Sequence, residues 1–156
     1  MSEEVSSRVA ARAAQAADPP PCRLLRRLAS MIYDALLVIA LLMVAAAIVV
    51  VPTGSGIEAG TLWFQTYLLV VWWAYFAVCW RMGGQTVGMR AWRVQLVTEG
   101  GERIGWANSA LRFLVAGVSA AAAGLGFLWS LFDPQRRAWH DLATATRLIV
   151  IPKEEK

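Results

Sequence analysis

The chain has 156 residues, of which 58% are hydrophobic, with mean hydropathy +0.49 and a formal net charge of +4. A soluble domain runs about 45–50% apolar; here the excess lies in three blocks, which excludes an ordinary soluble core and fits one membrane domain. The positive charge is mostly arginine and flanks those blocks, as membrane topology requires, so it does not mark a nucleic-acid surface.

Residues 1–21 read MSEEVSSRVAARAAQAADPPP. This is the composition of a flexible cytoplasmic tail, with a short amphipathic helix over Val9–Ala17 as the alternative. Pro19, Pro20 and Pro21 form a stiff spacer that cannot continue a helix. Arg23, Arg26 and Arg27 come next, and then the first apolar span, Leu28–Val51. Ala45-x-Ala47 resembles a leader cleavage site, but the basic region starts far from the N-terminus and four more apolar residues lie beyond Ala47. The stretch therefore reads as a retained span.

Asp34 interrupts that span. A carboxylate in hydrocarbon costs several kcal/mol (roughly 3 or more), so an intramembrane acid is functional until shown otherwise. Arg27 and Asp34 are seven residues apart, so a helix returns both to nearly the same face, two turns or roughly 11 Å apart. Arg23 lies on that face too. Asp34 has three readings: an ion pair with an arginine from elsewhere that locks helix packing, ion or proton handling, and partner recognition.

Pro52–Thr61 is a Gly/Pro turn with one Glu and no Lys or Arg. Leu62–Trp80 is long enough for a second span. Its rings (Trp63, Phe64 and Tyr67 at one end, Trp72, Trp73, Tyr75, Phe76 and Trp80 toward the other) suit the headgroup level. The next segment, Arg81–Arg112, is polar. Within it Trp92–Thr98 alternates apolar and polar residues, and Glu99-Gly100-Gly101-Glu102 looks like a turn, so a short hairpin or an interfacial segment is expected. Gly83-Gly84-Gln85-Thr86-Val87-Gly88 lacks the Gly-Lys-Ser/Thr ending of a phosphate loop. It reads as a turn off the second span, with Thr86 capping the segment after it.

Phe113–Phe132 is the third apolar block, with Gly117, Ser119, four alanines, Gly124 and Gly126 at its middle. Small residues allow close helix approach in lipid, so the block should pack on the first two spans. The loop between spans one and two has no Lys or Arg, whereas the flanking segments carry many, which puts the N-terminus in the cytoplasm. A third crossing would carry Arg136, Arg137, Arg147, Lys153 and Lys156 outside. A re-entrant segment bent at its Gly/Ala centre removes that conflict, although twenty residues is also the length of an ordinary span. Arg147–Ile151 is a candidate strand or interfacial segment.

Little else points to chemistry. Cys22 and Cys79 fall near the cytoplasmic face, where thiols stay reduced, so no disulfide is expected. No Cys-x-x-Cys or zinc ligand set is present. His140 is the only histidine and reads as a packing residue rather than a metal ligand. No nucleophile–base or paired-acid spacing stands out, so neither enzyme activity nor a cofactor is expected.

Taken together, Arg-x6-Asp at Arg27 and Asp34 (within RRLASMIYD), GGQTVGMRAWRVQLV at Gly83–Val97, and Asp141 in WHDLATAT resemble the RDD family of small membrane proteins, named for one arginine and two aspartates. The likeness covers roughly Arg23 to Val150. Arg26 is an alternative to Arg27 as the family arginine, and Ser30 is a mild departure from the small residue usual three positions later. The resemblance implies an all-α integral membrane protein with two transmembrane helices and a third, re-entrant or spanning, inserted segment. Residues 22–151 would form that domain, between tails 1–21 and 152–156. The resemblance further implies transport of a proton, sodium or a small ligand, or else an accessory role in a larger membrane complex. Arg27, Asp34 and Asp141 would be the functional charges and Gly84, Thr86 and Gly88 the supporting loop. A single copy is too small for an alternating-access transporter, so a homo-oligomer or other membrane subunits in the bilayer are implied. The setting expected is a bacterial inner membrane, with the N-terminus cytoplasmic.

Overall fold

The computed structural model describes residues 19–53, 61–99 and 104–151. The amphipathic stretch Val9–Ala17, most of the turn between the spans, Gly100–Glu102 and the tail 152–156 lie outside the described residues.

Two helices are long and apolar enough to cross a membrane: α1, Leu24–Thr53, and α2, Leu62–Gly83. Each runs a few residues beyond the span expected from hydropathy. Only Arg27, Ser30, Asp34, Val38 and Ala45 are buried on α1. Their spacing of three, four, four and seven matches the 3.6-residue period, so they form one stripe. Much of the rest of α1, including Ile32, Leu36, Ile39 and Met43, is exposed and apolar, as a lipid-facing surface is. Of its charged residues, Arg27 and Asp34 therefore sit on the face that meets protein.

After α2 the chain turns at Gly84, which has left-handed φ and donates its N–H to the Trp80 carbonyl at 3.1 Å. A one-turn helix α3, Val87–Ala91, is capped by Thr86, whose hydroxyl accepts from the Met89 N–H. Strand β1, Val94–Thr98, comes next. It makes no local hairpin. It pairs antiparallel with β2, Thr146–Val150, near the end of the chain, with Val94 opposite Val150 and Thr98 opposite Thr146. Pro21 bridges Ile149, and the Cys22 N–H donates to the Leu148 carbonyl at 2.8 Å. The segment entering α1 thus lies beside β2. Cys22, Met89, Val94, Leu96, Ile104 and Leu148 form a small hydrophobic core there, with Trp80 and Val150 against it. This cap ties the start of α1, the end of α2 and β2 to one side.

Between the strands, the third apolar block bends rather than crossing straight. Helix α4, Trp106–Ala121, is followed by α5, Leu125–Leu128, and a 3-10 turn, Trp129–Leu131. The two arms are bent by 106°. The hinge uses Ala123 and Gly124, both at positive φ. The returning arm leads to α6, Trp139–Ala143, and then to β2 in the cap, and the bent pair has the form of either a broken span or a re-entrant loop. Helix α4 starts seven residues earlier than hydropathy suggests and packs chiefly on α2 and α6. The expected packing on both spans is therefore met mainly on α2.

The small residues of this block have unequal roles. Gly126 has no room for a side chain, since a Cβ would overlap Ser119 and press on Trp139, whereas Gly117 has open space around it. Gly126→Val is expected to lower stability by about 1–3 kcal/mol through overpacking, read as a drop in thermal unfolding temperature in detergent. Gly117→Ala should leave that temperature unchanged or slightly raised, because Ala is the better helix former. Equal losses in both variants would contradict the close contact at the bend.

Candidate functional site

The buried stripe of α1 carries two polar centres at different depths. The outer one is built on Asp141, fully buried on α6. Arg27 Nη1 lies 2.7 Å from Asp141 Oδ2, and Arg112 Nη2 of α4 lies 2.6 Å from Oδ1. Oδ2 also accepts the Ala138 N–H at 2.8 Å, which fixes the carboxylate back against the start of its own helix.

Both arginines are held from further sides. Arg27 Nη2 donates to the Arg136 carbonyl at 3.1 Å. Arg112 Nη1 donates to Thr146 Oγ1 at 2.6 Å, and its guanidinium lies over the Trp80 ring, 5.2 Å from the centroid. Thr146 and Thr144 share a hydrogen bond of 2.9 Å, and Thr144 Oγ1 donates to the His140 carbonyl. One carboxylate therefore joins α1, α2, α4, α6 and β2.

Burial alone would raise the Asp141 pKa, but the adjacent Arg112 and Arg27 outweigh it and hold the group well below the usual carboxylate range. His140 is pushed down to about 3, first by burial and then by the positive field of Arg112 and Arg27. It is therefore neutral, packed on the Phe127 ring at 5.2 Å, with Nε2 3.5 Å from Arg27 Nη1. An arginine only donates, so Nε2 faces it as an acceptor.

The inner centre is Asp34, 4% exposed. Tyr75 Oη of α2 donates to Oδ1 at 2.9 Å, and the Gly88 N–H donates to the same oxygen at 2.9 Å. The Thr86 hydroxyl bonds Oδ2. No cation touches this carboxylate among the described residues. Gly88 is required here by the close approach of α3 to α1: a Cβ would overlap the Ser30 carbonyl oxygen and the Asp34 carboxylate.

Of the residues singled out from sequence, Arg27 and Asp141 are in contact, and Thr86 and Gly88 close on Asp34. Gly84 caps α2 and touches neither centre. Asp34 does not join Arg27, so there is no single grouping of the three charges. Asp141 is buried, and the cluster is one carboxylate between two arginines. Arg112 and Tyr75 were not singled out. Arg112 looks like a polar flank of the third block, yet it falls in phase with Ser109 and Ser119 on the buried face of α4. Tyr75 stands among ring residues suited to the membrane boundary. It lies eight residues before Gly83, and Asp34 ten after Leu24, so neighbouring antiparallel helices place both about 12–15 Å from the cap. Among the described residues no cluster of His, Cys, Asp and Glu suits a metal.

Two outcomes are expected from the outer centre. Asp141→Asn leaves two arginines buried with no counter-charge and should cost about 3–5 kcal/mol, seen as loss of folded protein from detergent extracts. Acidification should act through His140. Its folded pKa lies below the unfolded value, so the unfolded chain takes up the proton first and stability falls as pH drops from about 6.5 toward 3, by up to ~1.4 kcal/mol per pH unit. Asp141, also depressed, contributes stability above about 4 that is lost only at lower pH. His140→Gln should therefore flatten thermal stability between pH 6.5 and 5. An unchanged slope would remove His140 from this account.

Comparison with known proteins agrees with the motifs. No curated protein and no solved structure matches the chain. The model of the RDD family matches residues 21–145, a range that holds Arg27, Asp34, the Gly84–Gly88 loop, Arg112 and Asp141. The chain is a membrane protein of the RDD family.

Proposed function

We propose that this protein takes part in moving a proton or a monovalent cation across a bacterial inner membrane, with Asp34 as the carboxylate that binds and releases it. The observation that carries the reading is the difference between the two buried acids. Asp141 takes both arginines, whereas Asp34 has three hydrogen-bond donors and, among the described residues, no cation. A carboxylate held by hydroxyls can accept a proton or a small cation without breaking an ion pair. The Tyr75 and Thr86 hydroxyls can rotate to present a lone pair in place of a proton. The Ser30 carbonyl close by adds a further oxygen of the type that hard monovalent ions accept.

Two spans and one bent segment cannot enclose a path alone, so the working unit is an oligomer or a complex with other membrane subunits. The arginine-rich ends favour a cytoplasmic cap, with the turn between the spans outside. No catalytic role is assigned to any residue. A second reading, an accessory subunit without transport, is favoured by one observation: each Asp34 oxygen already has a donor.

The two readings separate in proteoliposomes containing a trapped pH-sensitive dye. Under an imposed sodium or proton gradient, wild type should change the internal pH, and Asp34→Asn should slow that change at least ~10-fold while keeping a similar unfolding temperature. A wild type without flux, together with loss of folded protein or of its complex in Asp34→Asn, would establish the accessory reading instead.

A further inference from the structure

Four arginines crowd the cap beside α1 with no acidic partner among the described residues. Arg23 and Arg26 stand at the start of α1, and Arg90 and Arg93 flank Trp92 in the chain. Arg23, Arg90 and Arg93 are exposed and Arg26 is half-buried. The described residues contain four carboxylates, and each is engaged elsewhere. Asp34 bonds Tyr75, Thr86 and Gly88; Asp141 holds Arg27 and Arg112; Asp133 and Glu99 both pair with Arg137.

Two of the four arginines, Arg23 and Arg26, line a groove of about 490 Å³, together with Pro20, Pro21, Trp92 and Leu25, among others. Its wall changes character along α1. Arg23 and Arg26 stand at the polar end. Leu25, 81% exposed, begins an apolar surface that continues two turns on with Ile32, 62% exposed. Trp92 is 40% exposed and meets Tyr33 edge-on, with centroids 6.5 Å apart. Trp and Tyr together mark the headgroup level of a bilayer.

We infer that this groove binds the phosphate of an anionic glycerophospholipid, with Arg23 and Arg26 as the phosphate ligands and the acyl chains laid along Leu25 and Ile32. Charge complementarity names the headgroup, because arginine forks match phosphate oxygens and no acid within the described residues neutralises them. The adjoining apolar wall favours a lipid over free phosphate, because inorganic phosphate has nothing to place on Leu25 and Ile32. A zwitterionic lipid carries its own cation and would bring that charge against the arginines. A basic pocket beside a transmembrane helix at the membrane surface is a setting that acidic headgroups favour. The site is separate from Asp34 and Asp141 and does not depend on transport.

The test is retention of lipid by the full chain in detergent, counted by native mass spectrometry after addition of phosphatidylglycerol or phosphatidylcholine. Wild type should retain phosphatidylglycerol at least ~10-fold more strongly than phosphatidylcholine. The double variant Arg23→Gln, Arg26→Gln should lose that preference while unfolding at an unchanged temperature. Lys153→Gln, Lys156→Gln removes the same charge from the tail and should keep it. Trp92→Ala, which leaves all four arginines, should weaken retention several-fold. Equal retention by wild type and the Arg23, Arg26 variant overturns the assignment. So does equal loss in the lysine control, which would mark net charge alone. Displacement of the lipid by millimolar inorganic phosphate would also overturn it, by making the site one for the free ion.

Discussion

Asp141 between Arg27 and Arg112 is the contact on which the rest of the fold is assembled. Taking a carboxylate and two guanidinium groups out of water costs several kcal/mol per ion, roughly 3 or more, and only direct ion contacts with good supporting hydrogen bonds offset it. Those supports come from widely separated parts of the chain: the Arg136 carbonyl, the Ala138 amide and the Thr146 hydroxyl. The cluster is assembled only when α1, α4, α6 and β2 are all in place. The two arginines leave an excess positive charge, and Asp34 lies on the same helix about 11 Å away. At an effective dielectric near 20 that separation is worth roughly 1.5 kcal/mol. An interaction of that size is too weak to set the geometry, which the contact pairs at 2.7 and 2.6 Å decide.

The bent segment is a consequence of the same anchor. Arg112 is in the second turn of α4 and Asp141 in α6, so the ion pair requires the chain to leave the cap and come back. Irregular backbone at membrane depth is tolerated only where its polar groups find partners. The hinge supplies them locally: the Gly124 N–H donates to the Ser119 carbonyl at 2.9 Å, and the Phe127 N–H donates to the Gly124 carbonyl at 2.9 Å. Close contact between Gly126 and Ser119 then folds the short arm onto α4. Outward-facing Leu125, Leu128 and Trp129 remain apolar, so the hairpin-like element presents hydrocarbon-compatible side chains around an internally bonded turn.

How much of this is legible in the residues depends on the range over which each signal acts. The two spans are written in long, largely apolar runs, and the bend of the third block in the basic residues beyond Phe132. The pairing of β1 with β2 is invisible locally, because Val94–Thr98 and Thr146–Val150 each look like isolated short strands. The alternation over Trp92–Thr98 instead suggests a hairpin around Glu99–Glu102. Arg112 is hidden for a related reason. At the edge of an apolar block an arginine ordinarily snorkels to water, and only its phase with Ser109 and Ser119 shows that it faces inward. For Asp34 the sequence shows the cost of burial but not the compensation. A cation is the expected partner, whereas two hydroxyls and a peptide N–H satisfy it.

Those different compensations divide the labour between the two acids. A carboxylate clasped by two arginines is fixed in charge, since protonating it would strand both cations in a dry interior. A carboxylate held by hydroxyls and one amide has no such penalty, because its neighbours carry no formal charge and two of them can reverse their hydrogen bonds. In the function proposed above, the arginine-clasped pair near the cap would serve stability, and Asp34, two turns deeper on the same helix face, would serve exchange. Gly88 makes this arrangement possible: only a residue without a side chain lets the α3 backbone come near enough to donate to Asp34. The loop after the second span is thus a part of the carboxylate site, and its glycine is set by the distance between two backbones rather than by the turn beside it.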